Sequence, residues 1–288
     1  MNRTLLLAFA LSLCALPTDP AQTLPPVYFS HATIFLSKAA YAALLHSSFL
    51  ENEFSSFEER TVQRDGGTWS YTGIYLVGQH TYLEFFQAGA DPHFGPTVPE
   101  QIAFNMWIDD RGRLPVFRDR LATETSSSLV IDTTRNGQNL PAYDSVTSQG
   151  GRSSDFGPGM RVAAYVKGYY PDGLTREKQL AGRFLPNKLL RDVTGFALTV
   201  DREERTRLAQ EFRAYGYEIR ADGEKQIAAG PDVTFTLLPA EANAPRTLRI
   251  DLSLNRPSAA EQVYRLDEAG ELRIQGSAAL WTLDSPAE

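Results

Sequence analysis

Cysteine is almost missing from this chain of 288 residues, since Cys14 is the only one. A single thiol near the N-terminus leaves no internal disulfide, no zinc–thiolate cluster and no cysteine nucleophile for the body of the protein. Histidine is scarce too: His31, His46, His80 and His93 are the only four, all in the first third. A serine nucleophile such as those of "GGRSSDFGPG" therefore has no histidine nearby in sequence to activate it. Clusters of lysine and arginine are also lacking, and 28 basic against 35 acidic residues give a net charge of −7. Without a basic stripe to track a phosphate backbone, nucleic acid is excluded as a partner. No glycine-rich phosphate loop, His-Glu-x-x-His pair or G-x-S-x-G elbow occurs. Disorder is excluded as well, because 42% of the residues are hydrophobic and only 22% charged.

What is present begins with a leader-like segment. "MNRTLLLAFALSLCALPTDPAQT" carries Arg3, an apolar run from Leu5 to Leu16, and then Pro17, Asp19 and Pro20. That is the plan of a secretory signal peptide over 1–23, too short for a membrane span, with cleavage after Ala15 or Ala21. The expectation is an exported protein, periplasmic or secreted, with no transmembrane segment in the mature chain. Lipid anchoring at Cys14 stays open, weakened by Leu13 where a small residue is expected.

From Val27 onward a unit emerges. "VYFSHATIFL" alternates as a strand, with Phe29, His31, Thr33 and Phe35 on one face. Ser37 is placed to cap a helix over "KAAYAALLHSSFLENEF", where Tyr41, Leu44, Leu45 and Phe49 form an apolar stripe. "FEERTVQ", "YTGIYLVG" and "HTYLEFFQ" complete a β-α-β-β-β order. A second unit follows the proline-rich stretch 92–99: strand "IAFNMWID", helix "GRLPVFRDRLA" with Pro115 in its first turn, and strands "SSLVIDTT" and "MRVAAYVKGYY". The strand between these last two is not distinct, and "TSQGGRSSDFGPG" reads as a mobile loop. A third unit opens with "VTGFALTV" and a capping box of Asp201 and Glu204, its helix ending at Gly216. Strands at Gln226 to Ala229, "VTFTLLP" and "TLRIDLSL" follow, then a hairpin "QVYRLDEAGELRIQG" and a short strand "ALWTL". The fold class expected is α+β, with repeated β-α-β-β-β units in cupped mixed sheets. The division expected is 27–175 as a paired-module domain and 176–288 as a C-terminal lobe with the terminal hairpin.

Glu84 stands out because it interrupts the large apolar residues of "TYLEFF". If buried, a carboxylate needs a partner, and a histidine, a tyrosine hydroxyl or a metal would serve. The alternative is an acid on the outer side of the sheet. His31 shares a strand face with aromatic residues, which suits either a core histidine with one hydrogen bond or a ligand or general base. His46 falls off its helix stripe and His80 sits in a turn, both readings being surface residues. His93, in "DPHFGP", and Tyr169 and Tyr170, in "GYYPDG", are candidates to close over a ligand.

The repeated plan, the histidine on a first strand and the glutamate of "TYLEFF" on a last strand resemble the vicinal oxygen chelate superfamily of glyoxalases, extradiol dioxygenases and fosfomycin-resistance proteins. "SFLENEFSSFEERTV" and "YTGIYLVGQHTYLEFF" are most similar to an uncharacterised bacterial glyoxalase-like group. The resemblance implies a cup formed by paired units and one divalent metal (Zn, Fe, Ni or Mn) acting as a Lewis acid on neighbouring substrate oxygens. Carried over by position, His31 and Glu84 match the metal ligands of the first unit. Their counterparts in the second unit are Asn105 and about Tyr165, and in the third Gly195 and Thr236, none of them a histidine or a carboxylate. Tyr75, Asn105 and Tyr165 are then candidates to contact a small molecule. Two functions follow: an exported binding protein that keeps the cup with an incomplete metal site, facing a small molecule or an envelope protein; or a metal-dependent lyase, isomerase or dioxygenase.

Overall fold

The computed structural model describes residues 24–64, 69–90, 102–121, 125–135, 138–148, 159–165, 175–241 and 247–284. The leader-like segment, His93, Tyr169 and Tyr170 lie outside them, as does nearly all of the "TSQGGRSSDFGPG" loop.

The first unit opens with β1 (Tyr28–Leu36). Ser37 then caps α1 (Lys38–Leu45), its side chain accepting from the Ala40 backbone N–H at 3.1 Å. The helix is shorter than its apolar stripe suggests. Ser47 accepts from the backbone N–H of Leu50 at 3.4 Å, and the chain restarts as a π-helical turn over Leu50–Phe54. A local serine bond here competes with helix continuation. Strands β2 (Ser56–Arg64), β3 (Trp69–Val77) and β4 (Tyr82–Gln87) complete the unit.

The second unit repeats the order with β5 (Ile102–Trp107), α2 (Leu114–Arg120), β6 (Thr125–Arg135), β7 (Gln138–Ser148) and β8 (Gly159–Tyr165). Strand β7 is the one the sequence obscures. It carries Pro141, which falls at a register irregularity against β6 where a missing N–H is tolerated. A short α3 (Arg176–Gln179) lies in the connector. The third unit is β9 (Leu190–Val200), α4 (Arg202–Ala214) with its Asp201–Glu204 capping box, β10 (Glu218–Asp222), β11 (Lys225–Ala229) and β12 (Thr234–Pro239). After it come β13 (Thr247–Arg265) and β14 (Glu271–Asp284). The expected hairpin and flanking strands are thus one long pair, kept continuous by register irregularities between Ser253, Ser258 and Gln262.

These strands form an eight-stranded sheet, ordered β2-β3-β4-β1-β5-β8-β7-β6, and a six-stranded sheet, ordered β10-β11-β12-β9-β13-β14. Each is mixed: β1 runs parallel to β4 and antiparallel to β5, and β9 parallel to β12 and antiparallel to β13. The fold is α+β, built of β-α-β-β-β units. The two sheets share one core, in which Phe29 meets Phe196 at 5.2 Å and Phe104 meets Phe235 at 4.8 Å between ring centroids. The buried faces of α1, α2 and α4 join it through Leu44, Phe117 and Phe212. Each of these fully buried side chains contributes roughly 1.5–3 kcal/mol. Among the described residues no helix is long and apolar enough to cross a membrane.

A polar lock joins the β3–β4 turn to the start of β9. Asp192 accepts from the backbone N–H groups of His80 (2.7 Å) and Thr81 (3.0 Å) and from the Thr81 hydroxyl (3.0 Å). Its other oxygen lies 3.2 Å from His80 Nδ1. His80 is therefore a joint between the two sheets, in contrast to the surface role read from its turn.

Candidate functional site

The opposite face of the eight-stranded sheet carries the site, and a β-bulge decides which residues reach it. Register between β1 and β5 shifts between Phe29 and His31. The extra residue turns Phe29 into the inter-sheet core, so the expected shared face of Phe29 and His31 is broken. From His31 on, alternation places Ala32, Ile34 and Leu36 in the core and His31, Thr33 and Phe35 on the cup side.

Four strands then bring the polar groups together. Thr33 lies opposite Glu84 on β4, and Glu84 opposite Tyr75 on β3. Asn105 on β5 lies opposite His31. Asn105 Nδ2 donates to Thr33 Oγ1 at 3.2 Å, and Thr33 Oγ1 donates onward to Glu84 Oε2 at 2.9 Å. His31 Nε2 stands 3.7 Å from the same oxygen. On its far side the imidazole meets Ser30, Nδ1 to Oγ being 3.1 Å. Glu84 is 9% exposed and Asn105 5%, so this relay is nearly dry and its hydrogen bonds act strongly.

Aromatic rings wall the relay. Tyr82 stacks on His31 at 4.3 Å and an interplanar angle of 12°. Phe86 covers Gly73, where a Cβ would meet the ring at 2.4 Å, and touches Tyr71 and Phe35. Tyr75 is fully buried. Burial, and then the charge of Glu84, pushes its phenol far above the usual range, so it keeps its proton and remains a donor.

The inter-sheet connector covers one end of the cup. Leu180 packs on Tyr75, Val77 and Tyr82. Arg183 pairs with Glu58 through Nε (2.9 Å) and Nη2 (2.8 Å), while Ser56 Oγ donates to the Arg183 carbonyl at 2.6 Å. The Arg183 guanidinium also lies 5.5 Å and 5.8 Å from the ring centres of Tyr75 and Tyr82. These connector residues, and Arg60 across the rim, carry no motif in the sequence. Only their proximity in space marks them.

The site thus brings His31, Glu84, Asn105 and Tyr75 to one face. Tyr165 closes β8, with its side chain outside the described residues, and register gives it a different place from the one expected. Glu84 sits two residues beyond the partner of His31, whereas Asn105 faces Arg161 on β8. Two residues beyond Arg161 is Ala163, the true counterpart of Glu84. In the third unit the counterparts are Gly195 and Thr236, two residues beyond the partner of Gly195. His46 is exposed at the end of α1, as its helix position suggests.

A divalent centre does not fit this donor set. Catalytic sites take three or more protein ligands, and among the described residues only His31 and Glu84 converge as an imidazole and a carboxylate. Asn105, whose amide N–H donates to Thr33, could add only a neutral carbonyl oxygen, and alanine at position 163 supplies no ligand atom. Among the described residues no group of three His, Cys, Asp or Glu side chains could hold a metal.

A model of a family of unknown function, DUF5829, matches residues 29–283. No curated protein matches the sequence. Among solved structures, a hypothetical protein from Staphylococcus aureus is similar at 10% identity and a TM-score of 0.50, over 76% of this chain and 94% of that one. An extradiol ring-cleaving dioxygenase from B. fuscum is similar at 10% identity and a TM-score of 0.44, over 93% and 74%. A Mn(II)-bound glyoxalase from Novosphingobium aromaticivorans is similar at 10% identity and a TM-score of 0.43, over 92% and 84%.

Proposed function

The chain belongs to the family of unknown function DUF5829, and we propose that it is an exported binding protein holding a small molecule in the cup of its eight-stranded sheet. The observation that carries this reading is the nearly dry relay Asn105–Thr33–Glu84 set among aromatic rings, with one of two ligand pairs for a metal among the described residues. A relay of this kind orients a ligand by hydrogen bonds, while flat ring surfaces supply contact area. His31 and Glu84 hold the polar end, Tyr75 donates from the wall, and the connector roof keeps water from the bound molecule. Export is supported by the leader plan of 1–23. The division into 27–175 and 176–288 is supported by the two sheets, which take their strands from either side of the connector.

A second reading, a metal-dependent enzyme of the vicinal oxygen chelate type, is favoured by the 3.7 Å approach of His31 to Glu84. One experiment separates the two. The mature protein, purified without a histidine tag, is examined by native mass spectrometry and by elemental analysis, beside His31→Ala and Glu84→Ala. A small molecule that stays bound after chelation, and weakens in both variants, supports the binding protein. About one metal per chain, lost in both variants, selects the enzyme reading.

A further inference from the structure

We infer that the ligand of this cup is a planar carboxylate, seated by Arg60 against the ring and hydroxyl of Tyr75. The inference rests on the binding reading above. Arg60 lies on β2 opposite Gly73, the glycine covered by the Phe86 ring. Its guanidinium sits 4.3 Å above the ring centre of Tyr75. Among the described residues no carboxylate comes within 4.0 Å of it. Glu58, the nearest acid on the same strand face, is engaged by both nitrogens of the Arg183 fork. Arg60 is thus a cation whose strongest contact is a ring. A guanidinium so placed still presents its fork edge to a carboxylate, the geometry it matches best.

A second observation lies at the same place. The Tyr75 hydroxyl is buried and has no hydrogen-bond partner among the described residues. Arg60 and Glu84 stand close enough to act on it as hydrogen-bonding neighbours, yet neither meets its oxygen with the distance and angle of a well-formed hydrogen bond. A buried donor left without an acceptor is costly and is the mark of a group awaiting one. A carboxylate at Arg60 supplies that acceptor. Both oxygens accept from the guanidinium fork and one of them also accepts from the phenol O–H, while the phenol separates the new charge from Glu84. The rest of the ligand then runs along Phe86 and Tyr82 toward His31, a path walled by ring faces. That wall favours a flat molecule over a saturated one.

The test uses three small probes of matched size, followed by NMR shifts of the His31 and Tyr82 rings in the whole mature protein. Benzoate is expected to bind, with benzamide at least ten-fold weaker because it lacks the charge, a difference of about 1.4 kcal/mol. Cyclohexanecarboxylate is expected to be weaker than benzoate because it lacks the plane. Arg60→Gln should abolish the preference for benzoate over benzamide, and Arg60→Lys should restore part of it; the unchanged fold of each variant is read from its circular dichroism. Equal binding of benzoate and benzamide, or a preference that survives Arg60→Gln, overturns the carboxylate seat while leaving a ligand in the cup. Failure of all three probes to move either ring also overturns it. The binding reading itself is judged separately, by the molecule retained in native mass spectrometry.

Discussion

Phe29 and His31, two positions apart on one strand, serve opposite layers of the protein. The ring of Phe29 meets Phe196 across the inter-sheet core at 5.2 Å, whereas that of His31 stacks on Tyr82 in the cup at 4.3 Å. The bulge between them makes a single strand both the keel of the core and the floor of the site.

Removing the core ring should cost far more than removing its neighbour in the cup. Phe29→Ala is expected to lose about 3–5 kcal/mol, because a fully buried ring leaves a cavity between two sheets. Phe35→Ala, on the half-buried cup side, should lose roughly 1–2 kcal/mol. Urea unfolding of both variants checks the ratio; equal losses would mean that Phe29 is not in the shared core.

Thr33 is the centre of the polar relay, accepting from Asn105 and donating to Glu84. Thr33→Val keeps the shape and deletes both bonds, with an expected cost of about 1–3 kcal/mol. Thr33→Ser should recover most of it. Ligand binding should fall with the relay, and native mass spectrometry of the three proteins reads that directly.

Asp232 is expected to give the stability a pH dependence whose sign follows from its burial. Burial raises its carboxyl above the ordinary value of 3.8, against the opposing pull of Arg176 and the Phe29 backbone N–H. A carboxyl raised in the folded state favours the protonated form there. Its contribution is therefore full below 3.8 and is lost as pH rises through the folded value. Relative to the parent, Asp232→Asn should show a flatter melting temperature over that interval. A parent whose melting temperature instead gains on the variant as pH rises from 4 would contradict the sign.

The connector roof is held by one ion pair with double contact, Arg183 to Glu58. Both side chains are about a quarter exposed, at 25% and 29%, so the pair is worth only about 1 kcal/mol. Glu58→Gln should leave the fold intact but speed hydrogen exchange across residues 176–188. Unchanged exchange there would show that Leu180 packing and the Ser56–Arg183 backbone bond hold the roof without the ion pair.

Local order was largely written in the sequence. Alternation placed β1, β3 and β4, the serine before Lys38 and the Asp201–Glu204 box placed two helix starts, and the acid inside "TYLEFF" pointed to a site on β4. These signals are short in range, since caps and side-chain alternation act over a few residues. Tertiary structure alone decided the rest. Pairing with β5 set the bulge that sends Phe29 and His31 apart, and pairing with β8 put Ala163, not Tyr165, at the position in the second unit that corresponds to Glu84. Arg60, Leu180 and Arg183 reach the cup, and Asp192 meets His80, only through contacts between segments distant in sequence. Register and distant contact depend on which strand lies alongside, and the free energy that selects the neighbour comes from burying the whole face at once rather than from any residue read by itself.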